Sequence, residues 1–231
     1  MIKAVYFDLD GVLFNRNEAE RVTLNYINKY YLNTINEYEL QKKWKNINLD
    51  LWSKCCKKKI TADDVLIKRW SEIIDRIGLK KNISSEELSE VYIEKYTSPI
   101  YKIDITSILK KLKSEKYLLA VITNGVKRIQ TLKIKKMELE NYFDFIVTDQ
   151  ESGYRKPDVR MFKYALSKHQ IEGSEAIYIG DSYTDDIIPS QKLDITPILY
   201  GHTPYKNEIN SFFYMAENKE KLQTILNKLL E

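Results

Sequence analysis

The chain opens on an apolar run, Ile2 to Phe7, that ends in Asp8-Leu9-Asp10-Gly11-Val12. This reads as a buried strand that delivers two carboxylates at its C-terminal end, two residues apart, beside a glycine able to make a sharp turn. Acids held this close at a strand end repel one another and are expensive to keep ionised unless a cation neutralises them. The usual solution is a hard divalent metal, and magnesium is the usual one where phosphate is handled. A chain with this beginning reads as an enzyme.

At 231 residues the chain has room for one large domain or for a core with a smaller companion. Its 30% charged and 43% hydrophobic residues suit a soluble globular protein. The net charge of +4 comes from lysines scattered singly or in short runs such as Lys57-Lys58-Lys59, which read as solvated helix faces. No nucleic-acid partner is expected. No apolar run approaches the length of a membrane span, and Met1 leads straight into the first strand with no secretory pattern, so no membrane partner is expected. Cys55 and Cys56 are adjacent and suited to stapling nothing, which fits a reducing cytoplasm.

Further strands are expected at Leu118–Ile122, Phe145–Val147, Ala176–Ile179 and, more weakly, Thr196–Tyr200. Between them Ile105, Ile108, Leu109 and Leu112 recur at helical spacing, as do Met161, Phe162, Ala165 and Leu166, with Pro157 expected in the first turn of the second helix. Leu222, Ile225, Leu226 and Leu229 form a closing amphipathic helix. Strands alternating with helices predict an α/β fold, a Rossmann-like parallel sheet with helices on both faces. The alternation fails between about Asn15 and Tyr101, where every pattern is helical. Leu40, Trp44, Ile47, Leu51 and Cys55 make one face, and Leu66, Trp70, Ile73 and Ile77 another. Thr61 with Asp64, and Ser84 with Glu87, read as N-terminal capping boxes, and Gly78 as a helix stop. The expected organisation is a core of residues 1–14 and 101–231, with 15–100 inserted as an all-α cap above the strand ends.

Each predicted strand ends in polar residues: Asp8 and Asp10 after the first, Thr123-Asn124-Gly125 after the second, and Gly180-Asp181-Ser182 followed by Asp185 and Asp186 after the fourth. Parallel strands put all of these on one sheet edge, where open α/β sheets bind ligands. Lys156, at the start of the next helical pattern, is within reach of the same crevice. His169 reads as a surface or helix-end residue, while His202 falls in a loop near the expected mouth. None of the seven glycines builds Gly-x-Gly-x-x-Gly, and no Gly-Lys-Ser/Thr loop exists, which excludes nucleotide folds of those kinds.

With acid pair, hydroxyl, lysine and acid cluster in this order, the chain resembles the haloacid dehalogenase superfamily of hydrolases. The resemblance covers about residues 1–15 and 100–205, and the helical insert sits where that superfamily places its C1 cap. It implies that Asp8 is the nucleophile that forms an aspartyl-phosphate and Asp10 the general acid and base. It further implies that Thr123, the backbone N–H groups of Asn124 and Gly125, and Lys156 bind the transferring phosphoryl group. Mg²⁺ would be held by the Asp8 side chain, the Asp10 main-chain carbonyl, Asp181 and a second acid. Asp185 and Asp186 both qualify as that acid; Asp186 is favoured because Ile187 and Ile188 then fall into helix packing. The implied activity is Mg²⁺-dependent hydrolysis of a small phosphorylated metabolite. A phosphomutase similar to β-phosphoglucomutase would keep every motif. A 2-haloacid dehalogenase would need neither Asp10 nor Asp181, and a phosphonatase would need a cap lysine. The motifs name neither the substrate nor the oligomeric state.

Overall fold

The computed structural model describes residues 1–33, 35–78, 83–201 and 213–231; His202 lies outside the described residues. By their internal packing the residues form two units, Met1–Arg16 with Pro99–Glu231, and Asn17–Ser98.

The first unit contains a six-stranded parallel sheet: β1 (Ala4–Phe7), β2 (Leu118–Ile122), β3 (Phe145–Val147), β4 (Ala176–Gly180), β5 (Thr196–Tyr200) and β6 (Tyr214–Ala216), in the spatial order β3-β2-β1-β4-β5-β6. β1 is central, with Val5 opposite Leu119 on one side and Ile177 on the other. All four of its residues are buried, which is why the strand reads as a continuous apolar run rather than an alternating one. Ala4 and Tyr6 share a core with Ala120, Ile122, Ala176 and Tyr178, and with Met161, Phe162, Ala165 and Leu166. Val5 and Phe7 point to the other face by the two-residue period of a strand, and they are equally buried. The strand order reverses at β1, which opens a crevice at the carboxyl ends of β1 and β4.

Several elements were not legible in the sequence, β6 and one helix of the sheet unit among them. β6 has three residues, of which only Ala216 is buried, too little to leave a pattern. A helix at Lys127–Lys136 buries Ile129, Gln130, Lys133 and Ile134, so half of its inward face is polar and the chain there reads as a solvated basic stretch. Pro157 also departs from expectation. The following helix begins at Val159 with Asp158 as its N-cap, whose side chain accepts from the Arg160 N–H, so Pro157 precedes the helix. His169 closes that helix and is tucked in, with its Nδ1 3.0 Å from the Tyr6 hydroxyl and its ring stacked on Tyr6.

The second unit is helical: α1 (Arg16–Ile27, whose first residue belongs to the sheet unit), α2 (Glu37–Cys56), α3 (Ala62–Ile77) and α4 (Ser85–Tyr96). Both capping boxes form, at Thr61/Asp64 and Ser84/Glu87, and Gly78 ends α3 in the left-handed conformation at φ +62°. Each cap satisfies backbone N–H groups that the helix cannot, a contribution of about 1 kcal/mol. The core unites Leu40, Trp44, Ile47 and Leu51 of α2 with Val65, Trp70 and Ile73 of α3 and Leu88 and Tyr92 of α4. Arg69 is buried with them. Its guanidinium lies 4.5 Å from the Trp44 ring centre and 4.4 Å from that of Tyr92, and burial lowers its pKa. The ring faces offer it partial compensation for lost water.

In chain order the remaining helices, all in the sheet unit, are α5 (Thr106–Ser114), α6 (Lys127–Lys136), α7 (Asp149–Ser152), α8 (Val159–His169), α9 (Ile188–Gln191) and α10 (Lys219–Leu230). Where the chain leaves and re-enters the sheet unit its two passages are tied side by side. Asn15 donates its N–H to the Tyr101 carbonyl at 2.7 Å, and Ile103 donates to Leu13 at 2.8 Å.

Candidate active site

Three strand ends supply the site. Asp8 directly follows β1, with its N–H donated to the Ile179 carbonyl of β4 at 2.8 Å. The continuing ladder therefore fixes where its side chain emerges. Thr123 follows β2 and is held in the same way by the Val147 carbonyl at 3.0 Å. Asp181 follows β4. Gly11 turns the chain after β1 at φ +92°, and a side chain there would run into the Asp181 carboxylate, so the glycine serves both the turn and the close approach of the two acidic loops.

Ligand oxygens of Asp8, Asp181 and Asp186 lie within 4.8 Å of one another, the group among the described residues suited to a metal ion. Asp185 is part-buried and is not a member of it. The segment that carries both acids is a single wide turn, Tyr183–Ile187, in which the N–H groups of Asp186 and Ile187 both reach the Ser182 carbonyl.

Lys156 is buried at the centre of the cluster. Its ammonium group donates to Asp186 Oδ1 at 2.6 Å and to the Tyr178 hydroxyl at 3.0 Å, and it pairs with Asp8 Oδ1 at 3.0 Å. Those three partners use all of its protons. Asp186 accepts at Oδ1 from Lys156, has the Tyr178 hydroxyl 3.0 Å from that same oxygen, and accepts at Oδ2 from the Ser182 N–H at 3.0 Å. Asp186 therefore anchors Lys156 as well as joining the acid group. The backbone of Lys156 is clamped by the Asn124 side chain, whose Oδ1 accepts from the Lys156 N–H at 2.8 Å while its Nδ2 donates to the Lys156 carbonyl at 3.0 Å. Gly125 donates its N–H to Thr123 Oγ1 at 3.3 Å.

The Asp10 carboxylate engages two side chains of α6 that sequence reasoning missed. Lys133 Nζ lies 2.5 Å from Asp10 Oδ1, and Gln130 Nε2 donates to Asp10 Oδ2 at 2.9 Å and to Thr123 Oγ1 at 2.7 Å. The only trace of them in the sequence was two polar residues three apart on one face of a helix that was itself masked by its basic composition.

The charges do not balance, and the carboxyl groups register it. Burial raises the Asp8 pKa; Lys156 opposes the rise, while Asp186, Asp10 and Asp181 reinforce it, leaving it pushed up to about 8. Burial and then Asp186 push Asp181 up to about 6. Burial would lower the Lys156 pKa, but Asp186 and Asp8 hold it well above the usual lysine value. Asp10 goes the other way: burial would raise it, yet Lys133 and then Gln130 hold it below the usual carboxylate range. One acid is thus kept ionised while its neighbours two residues and one strand away are pushed toward the protonated form. A carboxyl group at a strand end, a cation beside it and a second acid of opposite tendency form a set suited to nucleophilic and acid–base chemistry.

The chain resembles known proteins along its length. Residues 5–199 match the family model described as haloacid dehalogenase-like hydrolase. The glyceraldehyde 3-phosphate phosphatase of Methanocaldococcus jannaschii is 24% identical over 231 residues, covering 99% of each chain. That of Methanothermobacter thermautotrophicus is 33% identical over 94 residues, 41% of this chain and 42% of the relative. Among solved structures, the magnesium-bound putative HAD-hydrolase YfnB from Bacillus subtilis superimposes with a TM-score of 0.78 at 24% identity, over 98% of this chain and 99% of that one. A 2-haloacid dehalogenase from Pseudomonas syringae superimposes with a TM-score of 0.71 at 21% identity, over 99% and 100%. At these identities the structural matches speak to fold.

Proposed function

This chain belongs to the haloacid dehalogenase-like hydrolases, and from that premise we propose that it is a Mg²⁺-dependent phosphatase that hydrolyses a small phosphorylated metabolite through an aspartyl-phosphate on Asp8. The observation that carries the reading is the meeting of Asp8 with Lys156 and two further acids, beside an Asp10 carboxyl group gripped at both oxygens by Lys133 and Gln130.

The residues fit a hard divalent cation. The donors are all hard oxygens, three carboxylates and a main-chain carbonyl, and burial with mutual repulsion leaves Asp8 and Asp181 with raised pKa values that a bound cation would reverse. Asp8, Asp181 and the Asp10 main-chain carbonyl would hold it. Asp186, whose oxygens already serve Lys156, Tyr178 and Ser182, would complete the acid group. Bound there, Mg²⁺ offsets the repulsion between the Asp8 carboxylate and a phosphate dianion.

Asp8 attacks phosphorus, and the bond from phosphorus to the leaving oxygen breaks as that oxygen takes a proton from Asp10, which must first bind one from solvent against the pull of Lys133. Lys156 stabilises the charge on the transferring group, and Asn124 keeps it there by gripping its backbone on both sides. Thr123 and the N–H groups of Asn124 and Gly125 bind the remaining phosphoryl oxygens. In the second half, Asp10 takes a proton from water as that water attacks phosphorus and frees the Asp8 carboxylate. A dehalogenase would find no use for Asp181 or for the partners of Asp10.

Two of the relatives named above are glyceraldehyde 3-phosphate phosphatases, and another, from Halopiger xanaduensis, is a ribulose-1,5-bisphosphate 5-phosphatase. A sugar-sized phosphate ester is the substrate class this chain takes by analogy, in the cytoplasm. Purified protein with Mg²⁺ should release phosphate from some members of a panel of sugar phosphates, phosphoglycolate and nucleotides, and no halide from 2-haloacids. Halide release without phosphate release would overturn the reading.

A further inference from the structure

Resting on that reading, we propose that Lys133 and Gln130 are positioning residues for the acid–base step, fixing the Asp10 side chain from both of its oxygens and coupling it to Thr123. Lys133 meets Oδ1 at 2.5 Å and Gln130 meets Oδ2 at 2.9 Å. The Gln130 amide has two protons; one goes to Asp10 and the other to Thr123 Oγ1 at 2.7 Å, so the group is fully committed. Both residues come from one face of α6, three residues apart, and both are 1% exposed.

A second observation supports a built arrangement. A side chain at Gly125 would collide with the Gln130 side chain, so the phosphoryl-binding loop leaves open the space through which Gln130 reaches Asp10. Lys133 is also boxed in, with its ammonium 4.2 Å from the centre of the buried Phe14 ring. A purely structural role explains this poorly. Buried ion pairs add little stability over apolar residues of similar volume, because desolvation consumes most of the attraction. What the pair does provide is a fixed carboxylate. General acid catalysis needs the acid within hydrogen-bond reach of the leaving oxygen, and a grip on both oxygens stops the carboxylate from rotating. Asp10 enters the step holding a proton taken from solvent; as it gives that proton to the leaving oxygen, the phosphorus–oxygen electrons pass to that oxygen, and the carboxylate left on Asp10 faces the Lys133 ammonium. In the second half Asp10 recovers a proton from the attacking water as the bond between phosphorus and Asp8 breaks.

The test is how the phosphorylation step depends on the leaving group. An alkyl phosphate needs a proton on its leaving oxygen, whereas a p-nitrophenyl phosphate hardly does. Rapid-quench measurement of the phosphorylation rate should show Lys133→Met slowing an alkyl phosphate by about 10²-fold, with KM within about threefold of wild type, and the aryl phosphate by less than about fivefold. Gln130→Leu should show the same asymmetry at about tenfold, and it carries the test should Lys133→Met fail to fold. Equal losses on both substrates, or no loss on either in a folded variant, would overturn the positioning role. A wild-type protein that releases no phosphate from either substrate would instead overturn the phosphatase reading on which the role rests.

Discussion

Binding of Mg²⁺ at pH 7 should expel about one proton. Without a metal, burial and the neighbouring acids raise Asp8 to a pKa of about 8 and Asp181 to about 6. At pH 7 Asp8 is then mostly protonated and Asp181 mostly ionised, so a cation that needs both ionised releases about one proton. Mg²⁺ affinity should rise about tenfold per pH unit between pH 6 and 8 and level off above about 9. Titration calorimetry at pH 7 in buffers of different ionisation enthalpy reads the proton count directly, as the slope of observed heat against buffer enthalpy. Asp8→Asn should bind Mg²⁺ weakly and with almost no proton release. The same shift acts on stability. The metal-free folded chain holds a proton at Asp8 that the unfolded chain gives up near pH 4. This stabilising contribution is present at low pH and is lost as pH rises toward about 8, by up to about 1.4 kcal/mol per pH unit. Mg²⁺ should therefore raise Tm more at pH 8 than at pH 6. A proton count near zero, with Mg²⁺ affinity flat from pH 6 to 9, would refute the account of the cluster as over-charged.

Asp8→Asn should lose nearly all turnover while keeping the wild-type circular dichroism spectrum, since the substitution removes the nucleophile without changing side-chain volume; wild-type activity in that variant would remove Asp8 from the mechanism. EDTA should abolish activity and Mg²⁺ restore it, and Asp181→Ala should raise the Mg²⁺ concentration for half-maximal rate by about 10- to 100-fold. Turnover in ¹⁸O-labelled water should place label in the released phosphate; migration of phosphate between two positions of one sugar without label would identify a mutase.

Much of this molecule can be read from its sequence because burial is so uneven. β1, β2 and β4 lie in the middle of the sheet with almost every residue buried, so they appear as short apolar runs. The polar residues that end them are conspicuous for the same reason. Thr61, Gly78 and Ser84 were legible because caps are local chemistry. Three features were not. β6 is too short and too exposed to carry a pattern. The Tyr183–Ile187 turn is wider than an α-helical turn, so helical periodicity cannot say whether Asp185 or Asp186 faces Lys156; tertiary packing puts Asp186 there. The inward face of α6 carries Gln130 and Lys133 where an apolar pair would have announced it, and only the position of Asp10, over a hundred residues away in sequence, explains their burial.

Covalent capture of the intermediate tests the central claim most directly. Asp10→Asn, given an aryl phosphate that needs no protonated leaving group, should form the aspartyl-phosphate and then hydrolyse it slowly, because the base for water is gone. Quenching with borohydride reduces an acyl phosphate to an alcohol, so tandem mass spectrometry should find homoserine at position 8 and nowhere else. It should depend on both substrate and Mg²⁺. Substrate-dependent homoserine at a different aspartate, or none at all during demonstrated turnover of the wild-type protein quenched in the same way, would contradict the assignment of Asp8 as the nucleophile.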